Sequence, residues 1–170
     1  IRSELMAVKS LIQTVTVGAG GAASIEFTDI PQEAGSDLLL TFSFRTSIGG
    51  GNLALKINGT TTGYSSRTLI GNGSSVASGG PSNHYFLGDA VNNSGTTANT
   101  FSNGQVYFSN YAGSTSKSIS SDFVTENNAT QAFQGLVATS WNNTAGITSF
   151  ITDSGPLVQY STASLFKIKY

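Results

Sequence analysis

Residues Asp37 to Arg45 read DLLLTFSFR. Successive side chains of an extended chain point to opposite faces, so Leu38, Leu40, Phe42 and Phe44 share one side while Leu39, Thr41, Ser43 and Arg45 share the other. The first side is wholly apolar, which predicts a strand with one face in a core. A one-residue slip would turn that face to water, so the register is pinned.

Outward from this strand the same grammar repeats. Upstream, Ser10 to Val17 (SLIQTVTV) is β-branched, Gly18 to Gly21 interrupt it, and Ala23 to Phe27 resume before Pro31. Downstream, Leu53, Leu55 and Ile57 alternate into Asn58-Gly59, a strong turn dipeptide. Arg67 to Ile70, His84 to Leu87, Gln105 to Tyr111, Lys117 to Thr125, Gln134 to Trp141, Ile147 to Thr152 and Ser164 to Tyr170 follow, with Gly, Asn, Ser or Pro in the gaps. About ten or eleven short strands at this spacing predict an all-β fold, an antiparallel two-sheet β-sandwich of jelly-roll type. Its expected core includes Leu38, Leu40, Phe42, Phe44, Val106, Phe108, Ile119, Phe123, Phe166 and Ile168. Gly71 to Asn83 is expected to be an exposed loop. Residues 10–170 read as one domain, and residues 1–9, which hold Arg2, Glu4 and Lys9 and do not begin with Met, as a connector from an upstream segment.

Composition supports strands over helices. The 170 residues include 25 Ser, 20 Thr, 13 Asn and 20 Gly but only 17 charged side chains, whereas ordinary soluble domains are about a quarter charged. The scarce residue types are those that carry helix propensity. The net charge is −1 and the eight Lys and Arg residues are scattered, so no electrostatic footprint for nucleic acid is expected. The absence of Cys removes disulfides, thiolate nucleophiles and Cys-based zinc sites. No apolar run approaches the roughly 20 residues of a spanning helix, and no membrane insertion is expected. Five Asn-X-Ser/Thr triplets, at Asn58, Asn72, Asn92, Asn128 and Asn142, are about what this composition yields by chance.

Catalytic patterns fail on inspection. Gly18 to Ala23 (GAGGAA) matches G-x-G-x-x-A after a strand, but a dinucleotide site needs a helix next, and SIEFT is a strand pattern. There is no G-x-S-x-G elbow, and the single histidine, His84, would have to be the base of any classical triad. Asp122 and Glu126 share a parity, yet four residues of strand separate them by about 13 Å, too far for a hydrolytic dyad. No loop crowds oxygen ligands as a calcium site requires. Neither catalysis, a metal nor a cofactor is expected. Tyr64, Tyr85, Tyr111 and Trp141 each lie near a loop rich in Asn or Ser and are the candidates for stacking on a sugar. The competing role for them is to seal the sandwich ends with polar atoms at the rim.

SIEFTDIPQ at Ser24 to Gln32, DLLLTFSFR, TANTFSNGQVYFSNYAGSTSKS at Thr97 to Ser118, TENNAT at Thr125 to Thr130 and WNNTAGIT at Trp141 to Thr148 together resemble small β-rich virion proteins of marine tailed phages, especially podovirus-type cyanophages. The resemblance covers roughly residues 10 to 152 and carries no catalytic residue. It implies a non-enzymatic structural protein on the virion surface, partnered with other virion proteins. The chain's compactness and lack of shaft repeats favour a capsid knob or decoration domain, held to the capsid shell through an upstream segment. The alternative is a tail or fibre domain that binds a host surface glycan as a lectin does.

Overall fold

A computed structural model of the chain describes residues 6–49, 52–80, 86–88, 91–129 and 132–170. The described residues form twelve strands and no helix: β1 (Val8–Thr16), β2 (Glu26–Phe27), β3 (Ser36–Phe44), β4 (Leu53–Ile57), β5 (Tyr64–Gly71), β6 (Val76–Gly79), β7 (Phe86–Gly88), β8 (Ser102–Phe108), β9 (Lys117–Glu126), β10 (Ala132–Trp141), β11 (Phe150–Thr152) and β12 (Thr162–Lys169).

Four antiparallel pairs define the topology: β1 with β12, β2 with β11, β3 with β8 and β4 with β7. They are nested, as in one long hairpin, and they fall alternately into two sheets. This is a jelly roll. Two hairpins are inserted in it, β5–β6 between β4 and β7 and β9–β10 between β8 and β11. Both extend the same sheet, giving the orders β1-β12-β3-β8-β9-β10-β5-β6 and β2-β11-β4-β7.

The core lies between the sheets. From the large sheet it takes Leu38, Leu40, Phe42, Phe44, Val106, Phe108, Ile119 and Phe123, and from the small one Phe27, Leu53, Leu55, Ile57 and Phe150. The Phe108 and Phe150 rings meet across the gap with centroids 4.7 Å apart. Eight of the ten expected core residues are buried. Phe166 and Ile168 are only half-buried, because β12 turns Ala163 and Leu165 inward instead. Leu165, Phe166 and Ile168 make β12 apolar on both faces, so alternation alone could not choose its parity. On the outer face Phe166 neighbours Leu39 across the strands and lies 3.9 Å, centroid to ammonium, beneath Lys9.

Other boundaries move. β1 starts at Val8, which pairs with Lys169, so residues 8 and 9 belong to the sheet; residues 1–5 lie outside the described residues. The expected loop after Gly71 is partly a strand, since β6 pairs with β5. β6 is exposed throughout and gave no buried face for the sequence to advertise. Of that expected loop, Asn72 to Ser75 form the turn between β5 and β6, and residues 81–83 lie outside the described residues.

Phe123 is flanked in register by Gly104 on β8 and Gly135 on β10. A Cβ at Gly135 would come within 2.3 Å of the Phe123 ring, and one at Gly104 within 2.2 Å of the Asp122 carbonyl oxygen. The ring fills the space the glycines leave, at the seam where the inserted hairpin joins the roll. Gly104→Ala is expected to lose more than about 2 kcal/mol, since backbone must move, which is roughly 4–8 °C in Tm for a chain of this size. Gly18→Ala, where a Cβ would meet nothing within 4 Å, should change Tm negligibly. Thermal unfolding of the two variants side by side measures the difference.

Candidate functional site

The loops gather at two ends. At one end, the Thr46 N–H donates to Asn92 O (2.9 Å), Ser47 N–H to Pro156 O (2.9 Å) and Val158 N–H to Arg45 O (2.9 Å), while Ala22 and Leu157 exchange two backbone bonds. The Arg45 guanidinium donates to the carbonyls of Thr96, Thr97 and Thr100 and to the Thr96 hydroxyl. At the other end, Asn58 donates to Gly146 O and accepts from the backbone of Thr148 and Ser149. Gln32 there reaches Ile147 O (2.7 Å).

Of the expected sugar-stacking residues, the three that are described, Tyr64, Tyr111 and Trp141, are not on the surface. Tyr64 and Trp141 sit opposite each other on β5 and β10, stacked at 6.2 Å between centroids, and Trp141 is 1% exposed. Tyr111 is fully buried and its hydroxyl donates to Pro31 O. The Tyr64 hydroxyl accepts from Ile57 N–H (3.0 Å). Burial pushes both phenols above their ordinary pKa. None of the three offers a ring face to a ligand: the Tyr64 and Tyr111 hydroxyls each meet a backbone group at the second end, and Trp141 is buried against the Tyr64 ring. Tyr85 and His84 lie outside the described residues.

No hydrolytic pair assembles around Asp122. Its neighbours across the strands are Gln105 and Leu136, and Glu126 accepts from Asn128 N–H (2.6 Å). Among the described residues no three His, Cys, Asp or Glu side chains gather as a metal site. Gly18 to Ala23 form a turn that leads to β2 rather than to a helix.

The described cations are engaged within the chain. Lys56 pairs with Asp153 (3.0 Å), Lys167 and Lys169 both with Glu33, and Lys9 with the Phe166 ring. Arg67 donates to Ser66 O (2.7 Å). Lys117 is 1% exposed and donates to the carbonyls of Gly113 and Thr115; desolvation lowers its pKa. Among the described residues no basic face is left for a polyanion.

One surface feature was missed by sequence reasoning. At the first end an open groove of about 530 Å³ is lined by Ala19 to Ala23, Ser47 and Pro156 to Gln159. Tyr160, the next residue, is 69% exposed. It occupies the third position of the turn closed by Ser161 N–H to Val158 O, with φ of 72°. That position normally takes Gly or Asn, and a bulky residue there costs roughly 1–2 kcal/mol. The string VQYS contains no Gly, Asn, Asp or Pro that would have announced it.

No protein-family model, curated protein or solved structure matches the chain.

Two outcomes follow from this geometry. Trp141→Ala is expected to lose about 3–5 kcal/mol by opening a cavity, read as a shifted urea midpoint, so a binding defect in that variant reports unfolding. The hydrogen bond from Lys167, and then that from Lys169, hold the Glu33 carboxyl down to about 2 from an ordinary 4.5. A lowered folded-state pKa stabilises above the unfolded value and fades as pH falls from about 4.5 toward about 2. Glu33→Gln should therefore flatten the loss of unfolding midpoint over that window.

Proposed function

We propose that this chain is a non-enzymatic structural domain on the outer surface of a phage virion, a knob or decoration protein of the capsid. The observation that carries the reading is the eight-stranded jelly-roll pairing, an architecture shared by viral capsid and lectin domains. Fold alone does not fix function, and the surface supports the same choice. The ends are tied by Asn, Thr, Ser and backbone groups, and few ion pairs are involved. Such bonds depend little on salt, which suits a part that faces the medium. The capsid shell is the partner in this reading.

A tail or fibre domain that binds a host glycan is the second reading, favoured by the exposed Tyr160 beside its groove. Antibodies raised against the domain and applied to purified particles of a phage encoding it, with immunogold electron microscopy, test both. Gold is expected around the head. Gold confined to the tail would select the second reading, and particles with neither label nor the polypeptide would overturn the virion assignment.

A further inference from the structure

We propose that the groove between the turn after β1 and the turn before β12 binds an uncharged saccharide, with the Tyr160 ring as its stacking platform. The inference holds for either location on the particle and does not rest on the virion assignment.

Three observations converge. The groove is open and about 530 Å³ in volume, the size range of small-ligand sites, and no ionisable side chain lines it. Among the described cations, the one nearest in sequence to the lining, Arg45, is consumed by Thr96, Thr97 and Thr100. An ionic ligand would therefore shed its hydration there without compensation. A neutral one would not.

The groove also holds unused hydrogen-bonding groups. The backbone N–H groups of Ala19 and Gly20 and the Gln159 side-chain amide on the lining, and the hydroxyl of Tyr160 next to it in sequence, have no partner among the described residues. Both donors and acceptors are thus left for a ligand's hydroxyls. An apolar ligand would leave them unpaired. The two lining segments are held backbone against backbone: Gly21 has φ of 71°, a Cβ there would meet Leu157 O at 2.9 Å, and Ala22 and Leu157 exchange two hydrogen bonds.

The third observation is Tyr160 itself. Its ring is exposed and makes no hydrogen bond or ring contact within the described chain. An exposed aromatic face is what the C–H face of a pyranose stacks on. Stability alone would favour glycine in that backbone conformation, so what the ring does lies outside the fold.

The test is an NMR titration of the ¹⁵N-labelled chain with lactose, maltose, cellobiose and mannobiose, with a sulfated chondroitin disaccharide as anionic control. At least one neutral disaccharide, at millimolar concentration, is expected to shift the amide signals of Ala19 to Ala23 and of Gln159 and Tyr160 while leaving β3 unchanged. Tyr160→Gly should weaken that binding about tenfold with an unchanged or higher Tm. Gly20→Trp should abolish it without unfolding, because a side chain at Gly20 projects into open space. The proposal is overturned if none of the four sugars moves these signals, if the sulfated sugar binds more tightly, or if Tyr160→Gly binds as the parent does. None of these results bears on whether the chain is part of a virion, which the gold labelling decides separately.

Discussion

The structure depends on β3 being paired along both edges at once. On one side it meets β12 over the whole of its length and on the other β8, so it cannot be satisfied by any local hairpin. Its inner face of Leu38, Leu40, Phe42 and Phe44 supplies the apolar burial that offsets closing such long loops. Because the four roll pairs are nested, forming β3–β8 brings β4 and β7 near each other. Forming β3–β12 likewise positions β1 and β2 for their partners. The long-range closure is thus shared among strands that a chain of independent hairpins would have to close one by one. Formation of such non-local pairing is intrinsically slow.

The composition becomes intelligible on this frame. A sandwich with 17 charges in 170 residues must satisfy its polar groups internally. Buried hydroxyls do so in pairs, Ser66 with Thr139 at 2.9 Å and Ser102 with Thr125 at 2.8 Å, each joining two strands across the inner face. Asn side chains cap loop backbones, as Asn72 does for Ser74 and Ser75 and Asn93 for Gly95. These residues favour turns because their short polar arms imitate a backbone carbonyl. Lys117 does the converse, placing an ammonium among carbonyls that would otherwise be stranded.

What was legible follows from how one-sided each segment is. β3, β8 and β9 carry a buried row opposite a largely polar one, and the core residues expected on them are buried. β12 is apolar on both faces and β6 on neither in any useful sense, so parity failed for the first and recognition for the second. The jelly-roll pairing was expected only as a class, since sequence shows strands but not which distant partners they choose. The site was less legible than the fold. Polar neighbours in sequence made Trp141, Tyr64 and Tyr111 candidates for sugar stacking as well as for sealing the sandwich ends, but a tyrosine is buried wherever one backbone group meets its hydroxyl, as for Tyr64 and Tyr111, and Trp141 is buried against Tyr64. Tyr160 went unread for the opposite reason: a turn made without Gly, Asn or Pro leaves no trace in composition.

The two sheets are unequal, and this shapes the surface. The roll needs four strands in each layer, yet one layer has eight, so the added strands find progressively less to pack against. The inner positions of β9 are all buried, those of β10 are buried from Gly135 onward, those of β5 are buried at Tyr64 and Ser66 and half-buried beyond, and β6 is exposed entirely. Hydrophobic stabilisation scales with area removed from water, so local stability should decline along the same path. The outer face of that extension carries Leu69 and Leu136 directly opposite each other, both about half exposed. Tyr64, Val137 and Trp141 keep the near part of the extension inside the sandwich, and beyond Ser66 the sheet continues mainly on strand pairing.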